Sequence, residues 1–70
     1  MKNYRAIVKR ELDHARNKHP LWPLNRYRQL TIIAEEFGEL AQAINDNRED
    51  DAEIEAAQTI ATLIRFLENK

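Results

Sequence analysis

Leu30-Thr31-Ile32-Ile33-Ala34-Glu35-Glu36-Phe37-Gly38-Glu39-Leu40-Ala41-Gln42-Ala43-Ile44 carries two stripes at once. Leu30, Ile33, Ala34, Phe37, Leu40, Ala41 and Ile44 recur at three- and four-residue steps, the period of an apolar helix face. At about 100° per residue, Ile32, Glu36, Glu39 and Ala43 fall on a second face. A face that mixes acids with Ile and Ala is unlike a solvated surface, so the pattern predicts a helix covered on two sides. Asn25 is a good N-cap residue, and the helix is expected to run from there to about Ile44. Gly38 inside it costs about 1 kcal/mol relative to Ala. A close approach by another helix or by a ligand is expected at that position.

Working outward, Tyr4, Ile7, Val8, Leu12 and Ala15 make one apolar stripe, which predicts a first helix over roughly residues 2–17. It should stop near Lys18-His19-Pro20, because a proline disfavours helix in the residue before it. His19-Pro20-Leu21-Trp22-Pro23-Leu24 reads as a stiff, apolar, extended connector crossing the end of a bundle. On the other side, Asn45-Asp46-Asn47-Arg48-Glu49 is a polar turn. A third helix is expected to begin at Asp50, with Asp50 and Glu53 in capping-box spacing. Its residues Ile54, Ala57, Ile60, Ala61, Leu63, Ile64 and Leu67 cover about half its circumference, too wide for the surface helix of a monomer. Opposite them runs a polar stripe of Glu55, Gln58, Thr62 and Arg65.

The fold expected is all-α: one domain over residues 1–70, with three helices, the second and third forming an antiparallel hairpin. A chain of 70 residues lies close to the lower limit for a self-sufficient core. Without Cys it has neither a disulfide nor a thiolate metal site to add stability. Assembly of hairpins into a four-helix bundle, as a homodimer or homotetramer, is therefore expected. The net charge of −1 provides no broad basic field, which argues against nucleic acid as a partner. A helix-turn-helix reading is weak for the same reason: the turn at Asn45-Asp46-Asn47 is acidic on both sides. No apolar run is long enough for a bilayer and no signal-peptide pattern opens the chain. No membrane association is expected, and cytoplasm is the default location.

The acids carry the chemistry. Glu36 and Glu39, and then Glu55 and Gln58, stand at i, i+3 spacing, so each pair points one way from its helix. Two such pairs on facing helices can hold a divalent cation between them. No basic residue lies between Arg28 and Arg48, so no neighbour in sequence neutralises Glu35, Glu36 or Glu39. Clustered carboxylates without counter-ions repel each other, and oxygen-only ligands of this kind suit Mg²⁺ or Mn²⁺. The competing reading is an ordinary solvated acidic face. Trp22 could stack on a nucleobase, although a Trp beside two prolines more often caps a core. Lys18, Arg26, Arg28 and Arg65 are candidate phosphate contacts, and Gln29 and Asn25 could read a base edge. His14 and His19 lack ligand spacing and read as surface residues.

The run Glu35-Glu36-Phe37-Gly38-Glu39-Leu40, a turn, and then Glu55-Ala56-Ala57-Gln58 resembles the MazG-like, all-α nucleotide pyrophosphohydrolases. That family carries E-E-x-x-E on one helix and E-x-x-D on the next. Trp22-Pro23 and Glu39-Leu40-Ala41-Gln42-Ala43 resemble its small phage-type members, and the likeness spans about residues 19–68. The resemblance implies Mg²⁺-dependent cleavage of the α–β bond of nucleoside or deoxynucleoside triphosphates, releasing pyrophosphate. It implies that Glu36, Glu39 and Glu55 are ligands, with Glu36 or Glu39 also orienting the attacking water. Substrate contacts are expected from Trp22, Arg28, Gln29 and Arg65. Gln58 departs from the pattern, because it occupies the family's Asp. Its amide oxygen can ligate a cation but carries no charge and cannot serve as a general base. The departure leaves open a non-catalytic module of the same ancestry, with a degenerate metal site, that binds a nucleotide or a protein.

Overall fold

The computed structural model describes residues 3–70. It contains three helices, α1 (Tyr4–Lys18), α2 (Arg26–Asn45) and α3 (Glu49–Glu68), and no strand among the described residues. Each boundary has a local cause. The Asn3 side chain accepts from the Ala6 N–H and starts α1 at Tyr4. The expected start at residue 2 falls outside the described residues. Asn25 caps α2 as predicted, accepting from the N–H groups of Tyr27 and Arg28 at 2.9 and 3.1 Å.

The turn into α3 differs from expectation. Asn47 takes a left-handed conformation, with φ 57°. The N–H of Arg48 then reaches back to the Ala43 carbonyl at 2.9 Å, and that of Asn47 to Ile44 at 3.1 Å. This pair of bonds satisfies the last carbonyls of α2 and reverses the chain at once. As a result α3 begins at Glu49, one residue early, and its cap, Arg48, makes no side-chain capping bond. With Arg48 rather than Asp50 at the cap, Asp50 lies inside the first turn, where three acids face the positive end of the helix dipole. One of them, Asp51, also accepts from Arg48 at 2.9 Å.

The short turn makes α2 and α3 an antiparallel hairpin. Helix α3 packs against both α2 and α1, whereas α1 and α2 do not pack on one another. Glu11 meets Gln58, Ala15 meets Arg65 and Arg16 pairs with Glu68, so α1 runs parallel to α3. The result is a cleft between α1 and α2 with α3 as its floor. No helix among the described residues is long and apolar enough to cross a membrane.

The buried apolar residues are all small: Ala43, Ala52, Ala57 and Ala61. They let the hairpin helices approach closely. The larger apolar side chains lie elsewhere. Of the main α2 stripe, Leu30, Phe37 and Ile44 are exposed, Phe37 by 63%. On α3, Ile60, Leu63 and Leu67 are exposed as well. The face of α2 that points inward is the mixed one, with Gln29 and Ala43 fully buried and Ile32 and Glu36 half-buried. Within the chain, α2 is therefore covered on one side rather than two. A Cβ placed on Gly38 would meet nothing within 4 Å, so the close approach expected there is not supplied by this chain.

Candidate metal centre

Glu36 and Glu39 project from the third and fourth turns of α2, and Glu55 from the second turn of α3. Antiparallel packing brings the three together. One carboxylate oxygen from each lies within 4.8 Å of the others. Glu36 and Glu55 are half-buried and Glu39 is at the rim. Glu36 Oε2 and Glu55 Oε2 are buried without a hydrogen-bond partner among the described residues. A buried carboxylate oxygen without a donor is costly, and three carboxylates in one place compound the cost by repulsion.

The titration of these groups reflects that crowding. Burial pushes the Glu36 carboxyl above its ordinary value, and the charges of Glu39 and Glu35 push it further. Glu55 is raised to about 6, first by burial, then by the adjacent Glu39 carboxyl and by Glu36 and Asp51. A divalent cation would reverse all of these effects, because it attracts the ionised form of each ligand. The donor set is all oxygen, which fits a hard cation such as Mg²⁺ or Mn²⁺.

Gln58, one turn beyond Glu55, does not join the three acids. Its Nε2 donates to Glu11 Oε1 at 3.0 Å, across the cleft to α1. Glu11 also pairs with Arg10 at 3.1 Å, and its side chain is largely buried. Glu11, His14, Lys18, Glu36, Glu39 and Gln58 line one cavity of about 300 Å³. Sequence reasoning missed Glu11. The available signal was its place midway between Ile7 and Ala15 on the inward line of α1, where an acid is out of character. His14 and His19 are exposed, as expected, and both stand at the mouth of this cavity.

The remaining candidates divide. Trp22, Arg28 and Arg65 line a second, larger cavity of about 570 Å³ that also reaches Glu36. Arg65 is buried on the floor, with its guanidinium 5.2 Å from the centre of the Trp22 ring. Gln29 is withdrawn from the cleft. It is fully buried, donating to the Pro23 carbonyl at 2.6 Å and to Asn69 at 3.2 Å while accepting from Arg26 at 2.8 Å. It ties the proline connector to the start of α2 and the end of α3. Arg26 is spread over the Phe66 ring, 4.2 Å from its centre.

Compared with protein-family models, with curated proteins and with solved structures, the chain has no significant match in any of the three.

Proposed function

We propose that this chain is a divalent-cation-dependent nucleoside triphosphate pyrophosphohydrolase of the MazG-like, all-α type, forming a nucleoside monophosphate and pyrophosphate. The observation that carries the reading is the convergence of Glu36, Glu39 and Glu55 from two antiparallel helices, with two of their oxygens buried and without partners. Glu36, Glu39 and Glu55 would hold Mg²⁺, or Mn²⁺, at the wall of the cleft. When bound, such a cation neutralises charge on phosphate oxygens and acidifies a water. Glu39, at the rim and beside the other two acids, would take a proton from an attacking water or orient it. No Gly-rich loop offers backbone N–H groups to a phosphate chain, so side chains would do that work.

The reading includes self-association. A folded chain of this mass exposes about 4600 Å² by the usual scaling, yet this one exposes 5415 Å². The excess is about the roughly 800 Å² that each partner buries in a standard interface. It comes with two unpartnered apolar stripes, Leu30-Phe37-Ile44 on α2 and Ile60-Leu63-Leu67 on α3. Two hairpins joined through these stripes give a four-helix bundle, with a homodimer as the minimal unit and a homotetramer as a doubled one. The cleft, which lies on the other side of the hairpin, stays open.

One observation favours a second reading. Gln58 is engaged with Glu11 rather than presented to the acids, as befits a non-catalytic relative whose acids serve binding alone. Pyrophosphate release from a panel of ribo- and deoxyribonucleoside triphosphates, with Mg²⁺, with Mn²⁺ and with chelator, separates the two. Metal-dependent release that disappears in Glu36→Gln and Glu39→Gln supports the enzyme. Absence of release from every nucleotide, with the protein folded and the metal bound, supports the binding module.

A further inference from the structure

A second, apolar hollow lies on the far side of the α1–α3 contact from the cleft. The cleft takes Glu11, His14 and Ala15 from α1, and Gln58, Ala61 and Thr62 from α3. The hollow takes Tyr4, Val8 and Leu12 from α1, and Ala56, Ile60 and Ile64 from α3. It has two lobes, of about 240 Å³ and about 340 Å³, which share Tyr4, Val8 and Ile60. Together they form a groove along the seam of α1 and α3, in which Tyr4 and Ile60 remain exposed. Apolar surface left open to water carries a cost that an apolar occupant would remove.

Three observations identify the occupant. Ile60 belongs both to the groove and to the exposed α3 stripe, so what covers the stripe also reaches the groove. The surplus of exposed surface matches one standard protein interface, which is more than a small ligand would cover. The third observation is register. Glu39 meets Glu55 across the antiparallel hairpin. Phe37, two residues before Glu39, therefore stands level with Ala57, two residues after Glu55, and Ala57 lines the smaller lobe. A twofold axis parallel to the helices leaves that level unchanged, so it carries Phe37 of one chain to the height of the lobe in another. The sizes agree as well. A cavity of about 150 Å³ is enough to hold benzene, and the smaller lobe has room for a phenyl ring with its β-carbon.

We propose that a second copy of this chain, related by such an axis, seats its Phe37 in the smaller lobe and lays its α2 along the groove, and that the exchange is mutual. The inference rests on the self-association reading and adds α1 to the interface, because α2 of each hairpin lies between α1 and α3 of the other. The two α2 helices are then diagonal neighbours that do not touch. Gly38, beside Phe37, is exposed with nothing near the position of a Cβ. Its bare backbone faces the α1 of the other copy, which makes the close approach that the glycine permits.

The chain has no Cys, so single cysteines report contacts between copies without interference. Full-length chains carrying Phe37→Cys are mixed with chains carrying Val8→Cys and oxidised. In such a mixed pair one Phe37 still fills its lobe. A disulfide between the two kinds of chain is expected, in preference to one between two Phe37→Cys chains. Independently, Val8→Phe fills the groove from α1, away from both hairpin stripes. In sedimentation equilibrium it should weaken the dimer about tenfold for each ring it excludes, with helicity unchanged by circular dichroism. A dimer that gives no mixed disulfide, or whose affinity is unmoved by folded Val8→Phe, overturns the proposal. Phe37→Cys chains that pair with each other instead place α2 against α2, which also overturns it and leaves self-association standing. A wild-type chain that stays monomeric at all concentrations removes both. Should Val8→Phe not fold, the pattern of disulfides decides alone.

Discussion

Gln58 on α3 donates to Glu11 on α1 at 3.0 Å, a contact between residues 47 positions apart. An Asp at position 58 would set a second carboxylate near Glu11, in a largely buried place where like charges repel strongly. The amide replaces that repulsion with a hydrogen bond and fixes α1 on the hairpin. The wall of the cleft therefore keeps four carboxylates, Glu11, Glu36, Glu39 and Glu55, although the fourth comes from a different helix than the spacing in sequence suggests.

Gln58→Asp follows from this geometry with two opposed effects. The metal-free protein should lose about 1–3 kcal/mol, the cost of a broken buried hydrogen bond plus a new repulsion. Divalent cations should bind more tightly, and Mg²⁺ should recover most of the lost stability. Thermal melts with and without Mg²⁺, alongside pyrophosphate release, check both halves. A variant equally stable with and without Mg²⁺ would mean that position 58 does not communicate with the cation site.

Glu55→Gln should behave in the opposite sense. Removing one of three mutually repelling acids relieves the metal-free protein, raising its stability by about 1 kcal/mol, or roughly 4–8 °C in Tm for a domain of this size. The stabilisation given by Mg²⁺ should vanish at the same time. The melting shift between chelator and Mg²⁺ is the readout, and a variant destabilised in chelator would show that Glu55 is held by favourable contacts.

The acid cluster also sets a pH dependence. Glu55 titrates near 6 in the folded chain against an ordinary 4.5. A carboxyl whose pKa is raised by folding favours the folded state while protonated. Its contribution is full below about 4.5 and is lost as pH rises through about 6. Glu36 is shifted in the same direction and adds to the slope. Metal-free Tm should fall as pH rises across this window, and Mg²⁺ should flatten the fall above it by binding the ionised acids. A Tm that climbs across the window in chelator would contradict the crowding of these groups.

Phe37 is exposed by 63% at the middle of the outer α2 stripe. Phe37→Glu should shift the protein toward monomer in sedimentation or light scattering, and lower Tm in a concentration-dependent way. The acid site lies on the inward face of α2, so metal binding per chain should survive wherever the monomer stays folded. A wild-type chain that sediments as a monomer at all concentrations would remove the four-helix bundle.

Much of the secondary structure was legible because it depends on neighbours in sequence. Asn25 announces α2, Pro20 and Pro23 forbid helix in the connector, and the apolar periods give three helices with ends close to those observed. Helix α3 begins at Glu49, one residue before the expected Asp50, because the left-handed turn at Asn47 reverses the chain at once. The pairing of Glu36 and Glu39 with Glu55 was legible too, since a short turn between two helices of 20 residues leaves few registers.

Which faces meet was not legible in the same way. A period of 3.6 residues fixes angles about one helix axis but not where the neighbouring axes lie. Leu30, Phe37 and Ile44 read as core by composition, yet the closer packing came from Ala43, Ala52, Ala57 and Ala61, because small side chains allow the shorter distance between α2 and α3. That choice turned Gln29, Glu36, Thr62 and Arg65 inward. The course of α1 was equally hidden: lying parallel to α3, it brings Glu11 to Gln58 and the Ala15 carbonyl to Arg65. By itself the sequence determined the helices and the acids they carry, because propensity, capping and proline geometry act over a few residues. Only the tertiary structure decided that the acids share a cleft with a buried guanidinium, because that depends on how three axes pack.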